Sequence, residues 1–191
     1  TVLTLQRGVG GYDGVRDTYI DSWTASTAHG SEAALGVRSD GYKAVLLAFD
    51  LDTIPANAVI QNASLKLWSL YGSPAGGVVN VTAHKVVREW EELEATWNQA
   101  AAGVAWGTAG SASTSDAAAD PAAQATLNKD ASWVSLDVTD LLLEWLAQPA
   151  SNRGVLLRGT GAPGVQYNLA SSQYTARADL RPALEVSYML S

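Results

Sequence analysis

Trp68 stands out because it shares a predicted strand face with polar side chains. In the alternating segment 63–68, Trp68 lies on the same face as Ser64 and Lys66, and Leu65 and Leu67 take the opposite face. An indole ring on a polar face can stack on the flat side of a sugar, while its polar neighbours bond to the sugar hydroxyls. This pattern therefore predicts a carbohydrate-binding surface.

Two further segments follow the same pattern. Trp133 alternates with Ser135 and Asp137, and His84 alternates with Asn80 and Thr82. We therefore predict a ligand-binding set on one open sheet face, consisting of Trp68, Trp133, Lys66 and His84. The alternative is that loops or a helix cover this face, which would make these side chains structural.

Catalytic signatures are absent from the chain, and no catalytic residues are predicted. The two histidines are far apart in sequence, and no phosphate loop, zinc-protease motif or nucleophile elbow is present. The acidic run 89–94 invites comparison with glycosidases, which place two carboxylates across a cleft. Carboxylates this close in sequence usually splay outward, so a solvated charged surface is the favoured interpretation.

Three aspartates near the N-terminus are candidate metal ligands. Asp13, Asp17 and Asp21 offer the hard oxygen atoms that Ca²⁺ prefers, although their spacing matches no known loop motif. A structural Ca²⁺ ion is the cofactor that they would hold. No cofactor is predicted to be required.

The sequence predicts many short strands as the elements that position these residues. Apolar and alternating segments recur along the chain, separated by turns rich in Gly and Pro. The pattern predicts an all-β antiparallel jelly-roll sandwich in a single domain over residues 1–191. One short helix is expected near 138–147, where apolar residues recur at helical spacing and Pro149 follows. Residues 107–132 are expected to form a long loop rich in Ala and Ser.

Composition and charge exclude several classes of partner. The 191 residues include 12 Lys and Arg against 19 Asp and Glu, which gives a net charge of −7 that would repel nucleic acid. No apolar run reaches the roughly 18 residues of a membrane-spanning helix. The chain contains no Cys, so disulfides, thiolate metal sites and Cys nucleophiles are absent.

Short segments along almost the whole chain match the pattern of one known family. In the N-terminal half the matching segments are Leu5-Gln6-Arg7-Gly8, Gly11-Tyr12, Asp17-Thr18-Tyr19-Ile20, Gly30, Phe49-Asp50-Leu51, Ile54-Pro55, Ala63-Ser64-Leu65-Lys66-Leu67, Trp90-Glu91 and Ala95-Thr96-Trp97-Asn98. In the C-terminal half they are Asp137-Val138-Thr139, Trp145, Asn152, Gly154-Val155-Leu156-Leu157, Ala170-Ser171-Ser172, Arg181-Pro182, Leu184, Val186 and Tyr188. With these segments the chain resembles the DNRLRE domain family, which is also described as a family of carbohydrate-binding modules on secreted bacterial and archaeal proteins.

The resemblance implies a secreted jelly-roll module, extracellular or on the cell surface, that binds polysaccharide without catalysis. Some family members resemble modules that bind acidic polysaccharides such as alginate, so an acidic glycan is one expected ligand class. The resemblance supplies no catalytic residues. A net charge of −7 means that Lys and Arg would have to meet an acidic glycan locally.

An alternative function is self-assembly into an extracellular filament or matrix. The chain starts at Thr1 instead of Met, which fits a processed protein or an excised module. Its first segment is an alternating strand pattern with β-branched residues, formed by Thr1, Val2, Leu3, Thr4 and Leu5. This segment could pair with a sheet edge of another copy. The same segment also matches the first strand of the resembled family, which would pair within its own domain.

Overall fold

Two antiparallel β-sheets form the protein, as seen in a computed structural model that describes residues 1–191. Sheet A has six strands: β1 (Val2–Gln6), β3 (Ala34–Arg38), β5 (Ala58–Ser73), β10 (Ser132–Asp137), β12 (Gln166–Ala170) and β13 (Ala183–Leu190). Sheet B has five strands: β2 (Val15–Asp21), β4 (Lys43–Phe49), β6 (Val79–Lys85), β9 (Ala123–Leu127) and β11 (Val155–Thr160). The expected all-β antiparallel sandwich is confirmed.

Strand β5 organises sheet A because it is long enough to pair with three other strands. Its sixteen residues pair with β13 through the first part and with β12 near the end, and β10 pairs with Ser64 to Ser69. The sheet order is β1-β13-β5-β12-β3, with β10 on the other side of β5, so β1, β3 and β10 lie at its edges. Sheet B has the order β2-β4-β11-β6-β9.

The main core lies between the inner faces of the two sheets. Leu65 and Leu67 of sheet A pack in one cluster with Val45, Leu47 and Leu157 of sheet B, and all five side chains are buried. Period-two alternation places these residues on the inner faces. The polar residues between them on β5 therefore point outward.

A second, smaller core covers the outer face of sheet B. Leu46 and Leu156, which point outward from β4 and β11, are fully buried against Trp90 and Trp106. The aromatic side chains come from residues 86–117, which we call the covering segment and which contain the hairpin of β7 (Gln99–Ala101) and β8 (Val104–Ala105). The part of sheet B formed by β2, β4 and β11 is therefore covered on both faces. At the β6–β9 end of the sheet, Asn80 and Thr126 remain exposed on the outer face.

The predicted loop over residues 107–132 is only partly right. Residues 123–127 form strand β9, which pairs with β6 from Val79↔Leu127 to Ala83↔Ala123. Asp116, inside the same stretch, is fully buried and accepts hydrogen bonds from the backbone N–H groups of Gly107 and Thr108. The part before β9 is therefore an ordered cover for sheet B.

The chain contains one α-helix, α1 (Thr139–Ala147), where the sequence predicts it. Leu141, Leu142 and Trp145 form its buried stripe and join the main core. Three short 3-10 helices occupy 22–24, 149–151 and 178–180. None of the helices has the length and apolar character that crossing a membrane requires.

Candidate functional site

Trp68 and Trp133 form a direct cross-strand pair on the outer face of sheet A. The register of β5 and β10 places Trp68 opposite Trp133 and Lys66 opposite Ser135. The two indole ring centroids lie 5.3 Å apart with an angle of 73° between the ring planes, an edge-to-face arrangement. We call these two residues the tryptophan pair. The perpendicular rings make a corner that can hold a sugar from below and from one side.

The tryptophan pair lies on the open face of the sandwich. Trp133 is 41% exposed and Trp68 is half-buried, whereas Leu67 and Leu136, on the inner faces of the same two strands, are buried. Aromatic side chains of this size are normally buried, so an exposed pair on a strand face needs a functional explanation. The covering segment lies over β4 and β11 of sheet B, so sheet A provides the outer face that carries exposed tryptophans.

Lys66 lies beside the tryptophan pair but already has an anionic partner. Its Nζ atom is 3.2 Å from the Glu185 carboxylate on β13, and both side chains are about one-third exposed. Such a surface ion pair contributes little to stability. The Lys66 ammonium group therefore lies on the open face beside Glu185.

The structure separates His84 from the other three predicted ligand-binding residues, so its predicted place on their face is wrong. His84 lies on β6 in sheet B and is only 6% exposed beneath residues 107–122. Its ring nitrogens contact the Thr82 hydroxyl at 2.9 Å and the Ala118 carbonyl oxygen at 2.9 Å. Burial lowers the pKa of His84, which favours the neutral imidazole.

The three aspartates predicted as metal ligands do not come together. Asp13 forms an ion pair with Arg7, and Asp21 accepts a hydrogen bond from the Trp23 backbone N–H. Asp17 accepts hydrogen bonds from the Ser172 N–H and hydroxyl, both at 2.7 Å. No group of three His, Asp or Glu side chains is arranged to hold a metal ion.

Asp17 is an unusual carboxyl group. It is almost completely buried, and this burial raises its pKa to about 6, although the Ser172 hydrogen bonds act in the opposite direction. The nearby Glu92 carboxylate also raises the pKa of Asp17. Because Ser172 occupies both of its oxygen atoms, Asp17 is a structural group and does not face a substrate.

The acidic run 89–94 forms a turn above sheet B and does not build a catalytic pair. Glu89 is exposed and contacts Arg16 and Arg153 at 3.4 and 3.2 Å. Glu92 accepts a hydrogen bond from the Asp17 N–H, and Trp90 between them is fully buried. These contacts are structural.

The N-terminal segment predicted for assembly is paired within its own sheet. β1 runs antiparallel to β13, with Val2 opposite Ser187 and Leu5 opposite Leu184. The terminal amine of Thr1 donates to the Tyr188 carbonyl oxygen at 3.0 Å. The segment is therefore not a free strand.

A second exposed aromatic cluster, which the sequence reasoning missed, lies at the β3 edge of sheet A. Trp23 and Tyr42 are 58% and 48% exposed, with ring centroids 5.2 Å apart. The Arg38 guanidinium carbon lies 4.5 Å from the Trp23 ring centroid, and Lys43 Nζ lies 5.9 Å from it. We call these four residues the edge cluster. An aromatic residue inside the polar stretch 22–31 was the available signal.

Ion pairs and backbone bonds hold the edge cluster in place. Arg38 donates two hydrogen bonds to Asp40, at 3.0 and 2.8 Å, and these raise the pKa of Arg38 and lower that of Asp40. Lys43 Nζ lies 3.7 Å from the Asp21 carboxylate. The Ser22 N–H donates to the Tyr42 carbonyl oxygen at 2.9 Å, which ties the two aromatic segments together.

A groove away from both aromatic clusters lies between the end of β4 and helix α1. It has a volume of about 470 Å³ and is lined by Arg16, Asp50, Trp145 and other residues. It contains neither exposed aromatic cluster. For a polymer of flat sugar rings, the exposed aromatic face offers stacking surfaces that this groove lacks.

The fold and the exposed aromatic face define a β-sandwich of the carbohydrate-binding type, and comparison with known families agrees. The sequence model of carbohydrate-binding module family 96 matches residues 12–188. The chain belongs to this family. The match confirms the carbohydrate-binding class implied by the resemblance, but it does not name the DNRLRE family. Families of carbohydrate-binding modules are typically non-catalytic. A search of curated proteins finds no match to the chain.

Proposed function

We propose that the protein is a non-catalytic extracellular module that binds polysaccharide on the outer face of sheet A. The observation that carries the proposal is the exposed tryptophan pair, whose rings lie 5.3 Å apart beside Lys66 and Ser135. Membership of a carbohydrate-binding family supports the ligand class. The extracellular or cell-surface location is part of this proposal and is supported by the resemblance to modules on secreted proteins.

The charges around the aromatic residues favour a neutral glycan. Three cations lie with the exposed tryptophans, namely Lys66, Arg38 and Lys43, and each has a carboxylate within 4 Å. A glycan carboxylate would have to compete with these partners, and the net charge of −7 would repel it. Sugar hydroxyls bond to such paired groups without displacing a charge.

Affinity electrophoresis tests this function. Wild type and Trp68→Ala are run through gels that contain hydroxyethylcellulose, glucomannan, xylan, laminarin, alginate or polygalacturonate. We expect at least one neutral polysaccharide to retard the wild type, and Trp68→Ala to lose most of that retardation. Loss of one stacked ring removes about 1 kcal/mol, or about fivefold in affinity.

Val59→Ala is the matched control, because Val59 is an exposed residue at the other end of β5. This variant should migrate like the wild type in every gel. Binding should also persist in EDTA, since no cluster of metal ligands supports the site. The absence of retardation on all six polysaccharides, or an unchanged Trp68→Ala, would overturn the proposal.

A further inference from the structure

The tryptophan pair and the edge cluster lie on the same face of the same sheet. On β3, Arg38 and Gly36 alternate with the core residues Leu35 and Val37, so Arg38 points outward from sheet A and carries Trp23 against its guanidinium group. The tryptophan pair points outward from β5 and β10. The two aromatic groups therefore stand at opposite ends of one open surface.

Strand β12 fills the space between them with amide side chains. Gln166 and Asn168 alternate with the buried Tyr167 and Leu169, so the amides point outward. Gln166 Nε2 donates to Asn168 Oδ1 at 3.0 Å, which leaves the remaining amide donors and acceptors free for hydroxyl groups. Tyr71, an exposed residue opposite Asn168 on β5, continues the surface towards Trp68.

Gly36 joins these amides to the edge cluster. A Cβ atom at this position would lie 3.1 Å from Lys43 Cδ, 3.4 Å from Gln166 Nε2 and 3.6 Å from Asn168 Oδ1. The Lys43 side chain therefore lies beside the β12 amides on the outer side of sheet A. The surface is continuous from β10 across β5 and β12 to β3.

We propose that one polysaccharide chain binds across these four strands, with the tryptophan pair and Trp23 of the edge cluster as its two stacking sites. This inference rests on the proposed function and adds the path that the polysaccharide takes across the sheet. Across the strands, three spacings of about 4.8 Å separate β10 from β3, a span of about 14 Å. Along the strands, the register places Arg38 level with Ser73, five residues or about 17 Å beyond Trp68. Each span is longer than a single sugar ring, so the ligand is a chain of several sugars. The ion pairs that fix the edge cluster reduce the entropy lost on binding.

Isothermal titration with oligosaccharides of increasing length tests the proposal. The probes run from disaccharide to octasaccharide and are prepared from the polysaccharide that most strongly retards the wild type. Wild-type affinity should rise with length until the chain reaches both stacking sites, with one oligosaccharide bound per protein. Trp23→Ala should bind the octasaccharide about fivefold to tenfold more weakly, and should bind the disaccharide as the wild type does.

Two further variants sharpen the result. Trp23→Phe keeps an aromatic ring and should restore much of the length dependence, whereas Trp133→Ala should weaken both short and long probes. A Trp23→Ala variant that binds all lengths like the wild type, or two octasaccharides bound per protein, would overturn the spanning chain but leave the proposed function intact. Failure of every polysaccharide to bind the wild type would overturn both.

Discussion

At the scale of single residues, Asp17 links the stability of the fold to pH. Its folded pKa is about 6, against an ordinary value of 3.8, because the carboxyl group is buried. The folded protein therefore holds this proton more tightly than the unfolded chain does. The stabilising contribution is complete below about pH 4 and is lost as pH rises through about 6.

We expect Asp17→Asn to remove this pH dependence. Asparagine keeps the size of the side chain and can bond to Ser172 but has no charge to bury. Relative to the variant, the wild type should lose up to about 3 kcal/mol of unfolding free energy between about pH 4 and pH 7. Urea unfolding at a series of pH values measures the difference.

Asp137→Asn provides a control with the opposite sign. The Thr139 hydroxyl and N–H donate to Asp137 and lower its pKa, so its contribution is complete above about pH 4 and is lost only as pH falls below that value. Asp137→Asn should therefore leave the pH dependence between about pH 4 and pH 7 unchanged, and its own effect should appear below about pH 4. If the stability difference between wild type and Asp17→Asn is constant across this pH range, the burial argument for Asp17 is incorrect.

At the scale of elements, helix α1 is held by one buried stripe. Leu142 is fully buried in the main core, while its neighbour Leu143 is 46% exposed. Leu142→Ala should lower the unfolding free energy by about 2–5 kcal/mol, since it removes apolar contacts and leaves a cavity. Leu143→Ala, the matched control, should change it by less than about 0.5 kcal/mol. Urea denaturation of both variants measures this, and equal effects would contradict the assignment of the buried stripe.

The contrast between apolar side chains that are buried and side chains that are exposed explains which elements the sequence predicts. The continuous apolar run around β4 predicts a strand buried on both faces, and the structure shows this strand between the main core and the covering segment. Helix α1 is equally predictable, since Leu142 and Trp145 recur at helical spacing. Strand β9 is missed because its small residues, such as Ala123 and Ala125, carry little hydrophobic contrast.

The candidate site is predictable only in part, for a physical reason. Alternation fixes that Trp68 shares a strand face with Lys66, but it does not fix which sheet each strand joins. His84 follows the same alternation as Trp68 and lies in the other sheet, beneath a covering loop. Trp23 and Tyr42 are brought together by the approach of two turns, which no local pattern encodes.

At the scale of the whole molecule, net charge separates neutral from acidic ligands. The affinity of the protein for the neutral polysaccharide that retards it in the gels should change by less than about twofold between about 0.01 and 0.1 M NaCl. The reason is that stacking and hydroxyl contacts are not screened by salt. Calorimetry at the two salt concentrations measures this. A steep fall in affinity as salt rises would instead show attraction between cationic side chains and an anionic glycan.

The covering segment also gives the molecule two different sides. It thickens one side of the sandwich and leaves the other side as a bare sheet, and the chain has no cysteine anywhere. A cysteine introduced at Thr114, an exposed residue of that segment, would be the sole thiol. Attached to a surface through this thiol, every copy would stand in the same orientation, with its exposed tryptophans facing the solution.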